Sequence, residues 1–332
     1  MSALTLVLGL APVVLFLAAL ILVDSYKLVS RRSIAAALAA GAAAAGVSFL
    51  ANRLLLAFHL DEIVLRRYVA PLLEESIKAI YLVYLVRSAR VGFLVDAAIL
   101  GFAVGTGFAL VENLYYAGTM RDAAAGLWIV RGLGTAVMHG SATAIVGILS
   151  KSLTDRRGSG SLGLFLPGIA LATAAHALFN HVLLNPFVST AVMLIAMPLL
   201  VGLVYERSDK GTRDWLGVGL DADVELLDSI ESGRIADTPV GAYLTSLNRF
   251  SGPVVADMLC LLRIHLELSL RAKGILIARA AGVEVPVDIQ VRENFQEMKY
   301  LERSIGKTGK IAILPFMRTS NRDLWQLYML GK

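Results

Sequence analysis

The chain has 332 residues, 57% of them hydrophobic, and a formal net charge of +5. That apolar content is high for a soluble protein and points to membrane-spanning segments. Residues 1–205 hold 14 Lys/Arg against 9 Asp/Glu, whereas residues 206–332 hold 17 against 17. The positive excess therefore sits in the apolar part, as at a membrane surface, and not in a basic nucleic-acid arm. The single Cys260 excludes an intrachain disulfide and a multi-cysteine zinc site.

Seven segments reach the roughly 20 residues that a bilayer requires. They are residues 3–23, 34–58, 64–86, 92–117, 124–149, 161–184 and 186–205. The first lacks a basic start and reads as a span, not as a cleaved signal peptide. The second is Ala-rich, only weakly apolar, and holds Asn52 and Arg53. The predicted fold is all-α: a polytopic membrane helix bundle of about seven spans over residues 1–205, then a soluble, mainly helical cytoplasmic domain over residues 206–332. Lys27, Arg31, Arg32, Arg87, Arg90, Lys151, Arg156 and Arg157 fall in loops on one side, and Arg66, Arg67 and Arg121 on the other. Basic loops face the cytoplasm, which predicts a plasma-membrane protein with its N-terminus outside and its C-terminus inside.

Four of the spans carry ionisable or amide side chains. An ionisable group at bilayer depth costs about 2.5–3.5 kcal/mol on insertion scales, and persists where it meets another, a cavity or a metal. Glu74 and Glu75 lie four and three residues before Lys78 and both reach it. Lys78 can then hold one carboxylate charged while the other works as a base; the plainer role is an ion pair docking two helices. Glu112 and Asn113 follow Gly101-x-x-x-Gly105, a spacing that permits close helix packing. Glu112 is either a site residue or snorkels to the near surface. Arg131 and His139 turn about 80° apart on a helix, and His139 has Thr135 and Thr143 one turn away on either side. A hydrogen bond to a threonine is the plainer role for His139. His176 and Asn180 share a face, with helix–helix hydrogen bonding as the plainer role, and His181 points about 140° away. With the spans alternating in direction, the carboxylates and His139 and His176 all reach mid-depth or slightly outward of it.

In combination these residues resemble the PrsW family of intramembrane proteases, within the superfamily of CAAX prenyl-proteases and bacteriocin-processing enzymes. The family pattern runs Glu-Glu-x-x-Lys, Phe-x-x-x-Glu-Asn, a histidine on the next helix, then His-x-x-x-Asn/Asp. The matching residues are Glu74 to Lys78, Phe108 to Asn113, His139 (with Arg131), and His176 to Asn180. Glu112 stands where the CAAX-like branch has histidine, which favours PrsW. The resemblance covers roughly residues 60–185 and does not reach the tail. It implies peptide-bond hydrolysis in or beside the membrane, on a membrane-anchored substrate such as a single-pass anti-sigma factor.

Amide hydrolysis needs an activated water, an oxyanion stabiliser and a proton donor for the leaving amine. Glu75 or Glu74 is the expected general base. Glu112, His139 and His176 are the expected zinc ligands, leaving a position open for water. Without metal, the glutamate activates water directly and His176 with Asn180 stabilises the oxyanion; the zinc reading is preferred. Neither His-Glu-x-x-His nor Gly-x-Ser-x-Gly occurs, so zincin and serine chemistry have no support. The competing function is a proton- or ion-coupled transporter, since membrane carboxylates and histidines also build proton relays. No internal repeat of the transporter kind is evident. A receptor or scaffold acting through its tail is the third class.

In the tail, a Gly- and Asp-rich linker is expected to about residue 223, then helices near 223–233, 239–249, 252–281 and 288–305. The 252–281 stretch is interrupted by Asp257, Arg263, His265, Glu267, Arg271 and Lys273, and reads as a buried amphipathic helix, not an eighth span. Residues 311–316 read as a short strand or another apolar helix face. Gly306-Lys307-Thr308 is similar to a phosphate loop, but Leu301 occupies a position that needs glycine.

Overall fold

A computed structural model describes residues 3–331 except 25, 121, 158–160, 182, 184, 287–288 and 318–319. Arg121 and position 184, the end of the sixth predicted span, lie outside the described residues. Every regular element among the described residues is helical. The chain forms two compact units, Met1–Asp209 and Lys210–Lys332.

The first unit contains α1 (Ala3–Val23), α2 (Arg31–Ala57), α3 (Ala70–Arg87), α4 (Leu94–Thr119), α5 (Ala136–Arg157), α6 (Leu166–Asn180) and the first part of α7 (Pro186–Glu231). A π-helical segment, Leu65–Val69, leads into α3, and another, Val130–Thr135, leads into α5. Six helical stretches are long and apolar enough to cross a membrane, one fewer than the seven expected. The stretch outside that set is α3, whose Glu74, Glu75, Lys78 and Arg87 make it too charged to qualify.

Helix α4 is the centre of this bundle, buried on all faces over most of residues 95–109. A helix apolar all round belongs in a core. Small residues let its neighbours in. A Cβ on Gly105 would stand 2.2 Å from the His139 carbonyl oxygen, and one on Gly101 2.6 Å from that of Thr143. On another face of α4, a Cβ on Gly41 of α2 would stand 1.9 Å from the Val104 carbonyl oxygen. The Ala/Gly composition of α2, whose mean hydropathy of 2.0 equals that of α4 and so corrects the expectation of a weakly apolar span, is thus what lets two backbones meet, the usual basis of helix association in lipid.

The π-helical turn before α3 has a local cause. Ala70 N–H donates to the Leu65 carbonyl, five residues back. The next donor in that register is residue 71, a proline without an N–H. The Arg66 carbonyl is therefore left over, and Asn180 of α6 donates its side-chain amide to it at 3.1 Å.

The second unit holds the remainder of α7 with α8 (Pro239–Ser246), α9 (Gly252–Ala280), α10 (Ile289–Ile313) and α11 (Asn321–Leu330). Met258, Leu261, Leu262, Leu268 and Ile275 of α9 form its core with Val291, Leu301 and Ile305. The expected linker to residue 223 is helical instead, because Thr212, Leu216 and Asp223 form a buried stripe at helical spacing. Isolated glycines within it cost only about 1 kcal/mol each, which such packing overrides. Residues 311–313 close α10 and turns follow, so the short strand is absent there. Lys273, fully buried, donates to Ser269 and the Gly219 carbonyl at 3.1 Å each and pairs with Asp223.

Candidate active site

The charged residues of α3, α4, α5 and α6 converge. Glu75 is fully buried, and its Oε1 takes Lys78 Nζ at 2.6 Å and His176 Nδ1 at 2.9 Å. A carboxylate can only accept, so the His176 Nδ1 carries hydrogen; in the neutral ring that leaves the lone pair on Nε2. Lys78 reaches on to His139 Nδ1 at 3.2 Å and lies 4.6 Å from the Phe108 ring centroid. The other nitrogen of His139 meets Glu112 Oε2 at 3.1 Å. The two imidazoles stand edge to face, 4.7 Å between centroids. Thr143 donates its hydroxyl to the His139 backbone carbonyl, not to the ring.

The two adjacent glutamates do different things. Glu75 is enclosed behind His176, whereas Glu74 lines a cleft of about 1310 Å³ together with Glu112, His139 and His176. That volume exceeds the roughly 300–1,000 Å³ of small-molecule pockets and suits a length of polypeptide. Phe49, Tyr115, Tyr116, Phe179 and Phe187 supply apolar wall.

Glu112 is braced from outside. Arg131 lies 3.3 Å from its Oε2, stacks 3.9 Å above the Tyr116 ring and donates Nε to Asn113 Oδ1 at 2.9 Å. Asn113 in turn donates to the Gly9 carbonyl of α1 at 2.7 Å. Asn113 therefore locks helices, while Glu112 faces the cleft. Asn180 lines the cleft with its amide engaged by the Arg66 carbonyl. His181 packs against Tyr68, 4.9 Å between centroids, away from the other histidines as its helical phase predicts.

From sequence, Asn52 is only a polar residue of the second span. The structure brings it to Glu74, with Nδ2 donating to Oε1 at 3.2 Å. Its proximity to Arg53 in an Ala-rich helix was the available signal.

The donor set suits a divalent metal. Ligand atoms of Glu74, His139 and His176 lie within 4.8 Å of one another. Ligands at about 2.0–2.2 Å from a tetrahedral zinc lie about 3.3–3.6 Å from one another, so side-chain shifts of about 1 Å would close the triangle on one ion. Glu112, the carboxylate expected among the ligands, is hydrogen-bonded to His139 Nε2 at 3.1 Å and lies outside this triangle. Glu75 behind His176 reproduces the carboxylate–imidazole support common at metal sites. Glu75 Oε2 is buried without a hydrogen-bond partner among the described residues.

A helical membrane bundle with two carboxylates and two imidazoles facing one peptide-sized cleft has the parts that an intramembrane hydrolase needs. The family model for PrsW family intramembrane metalloproteases matches residues 29–203, and the chain belongs to that family. It is a multi-pass membrane protein and a protease, which disfavours the ion-coupled transporter. Neither the curated proteins nor the solved structures give a match.

Proposed function

We propose that the chain is an endopeptidase that cuts a membrane-anchored protein, of the single-pass anti-sigma-factor kind, with Glu74 as general base. The observation that carries this is the separation of the two glutamates, Glu74 on the cleft and Glu75 enclosed by Lys78 and His176. Glu112, His139 and His176 are the proposed holders of a zinc ion. A zinc ion there supplies Lewis acidity to water and to the substrate carbonyl.

The side chains account for the remaining requirements. The cleft binds the extended substrate against its aromatic wall and limits water around the reacting bond. Glu74 accepts a proton from the attacking water as its oxygen bonds to the carbonyl carbon. The C–N bond then breaks, and the proton passes from the Glu74 carboxyl to the leaving amine. Glu75 and Lys78 hold His176 and His139 in orientation. Arg131 anchors Glu112.

The triangle of Glu74 with the two histidines favours a second reading, in which Glu74 is the third ligand and Glu112 the base. Metal content separates the two. Under the first reading, Glu74→Gln keeps the metal and loses cleavage, while Glu112→Gln and His176→Ala lose both. A metal-free, folded Glu74→Gln beside a metal-bound Glu112→Gln establishes the second.

Loop charge supports an outside N-terminus and a cytoplasmic residue 210–332 unit, which places the site toward the outer half of the membrane. The described catalytic candidates all lie within Met1–Asp209, so the second unit is proposed as an accessory helical domain. Fusing a reporter after residue 332 and scoring cytoplasmic against external activity tests that orientation.

A further inference from the structure

The structure assigns Asn52 of α2 as a positioning residue that, with Glu74, holds the attacking water by both of its hydrogens. This rests on the reading of Glu74 as general base. Asn52 is the one α2 side chain recorded in hydrogen bonding with the carboxylates of the site among the described residues, donating Nδ2 to Glu74 Oε1 at 3.2 Å. A carboxylate acting as base has no hydrogen to give, so the amide must present its nitrogen there and its oxygen elsewhere. That Oδ1 is buried and has no hydrogen-bond partner among the described residues, and Asn52 lines the same cleft as Glu74. A buried amide oxygen without a donor is costly, and the cleft is the source of one. Water fits it. One hydrogen goes to Glu74 and the other to Asn52 Oδ1, which turns an oxygen lone pair away from both and toward the substrate carbonyl. When Glu74 takes its proton, the second hydrogen stays with the oxygen and ends on the new carboxyl group. Asn52 neither gains nor loses a proton.

Asn52→Leu tests this, since leucine has a similar shape, no polar atoms and no cost in a membrane helix. The expected result is a kcat lower by about tenfold to a hundredfold, the scale of misplaced reacting groups. KM should stay within about twofold and thermal unfolding unchanged. The substrate is the single-pass peptide that the wild type cleaves fastest from a quenched-fluorescence set in detergent micelles. Asn52→Asp, which keeps an acceptor and sets a second carboxylate on Glu74, should not rescue. An independent readout is infrared: the carboxyl stretch removed by Glu74→Gln should shift in Asn52→Leu, with or without substrate. An unmoved band, or an unchanged kcat, overturns the proposal. A fully active Glu74→Gln would instead sink the underlying reading, whatever Asn52 does.

Discussion

Replacing Lys78 with methionine strips Glu75 of its ammonium partner. Both side chains are fully buried and 2.6 Å apart. Removing one member of a buried ion pair typically costs about 3–5 kcal/mol, because the remaining charge is left uncompensated. Lys78 also gives up a contact with the Phe108 ring, worth about 0.5–2 kcal/mol, which the methionine side chain partly replaces by packing. The single variant should therefore lose about 3–5 kcal/mol in SDS-titrated unfolding from mixed micelles. The double variant Lys78→Met/Glu75→Gln removes both charges and should recover most of that stability. It should still fail to cleave, since neither His139 nor His176 is then held by its charged support. A loss under about 1 kcal/mol in the single variant, or a double variant no more stable than the single one, would refute a buried, mutually compensating pair.

Further outcomes follow from the same geometry. Gly105→Ala forces a methyl group against the His139 carbonyl, so it should destabilise by about 1–3 kcal/mol and lower activity by displacing His139; unfolding midpoints and cleavage rates check both. Asn180→Ala unties α6 from the carbonyl that Pro71 leaves unpaired, with an expected loss of about 1–3 kcal/mol and a smaller fall in kcat than Glu74→Gln causes, measured on one substrate. Lys273→Met should unfold the second unit first, leaving buried Asp223 without its cation, as protease-resistance mapping of residues 210–332 would register. In Arg131→Ala, cleavage should fall by about tenfold to a hundredfold as Glu112 loses its anchor, and Arg131→Lys should restore little, because a lysine offers no planar fork.

Much of the bundle was legible because polar groups in apolar spans are costly and therefore few. Glu74, Glu112, His139 and His176 stood out for that reason, and alternating helix directions placed them at one depth. Which glutamate faces the cleft was not legible: Glu74 and Glu75 both reach Lys78 on a helix, and only the approach of α6 encloses Glu75. Asn52 was invisible as a site residue because its partner lies 22 positions away on another helix. The expectation of a weakly apolar second span does not hold, since the apolar stretch of α2 has the same mean hydropathy, 2.0, as that of α4, and α2 packs through glycine and alanine by backbone proximity. In the tail, the Gly- and Asp-rich composition suggested a linker, but a buried stripe at helical spacing prevailed over propensity.

The central claim is hydrolysis of a peptide bond in a membrane-anchored protein, and isotope labelling tests it most directly. Wild type and Glu74→Gln would be reconstituted in liposomes with a single-pass substrate in water enriched in oxygen-18, and the products mapped by mass spectrometry. The account predicts a single cut in or beside the substrate's span, one oxygen-18 in the new C-terminal carboxylate, and no product with Glu74→Gln. Intact substrate beside folded wild-type protein across a broad set of single-pass chains, or equal cleavage by Glu74→Gln, would contradict it.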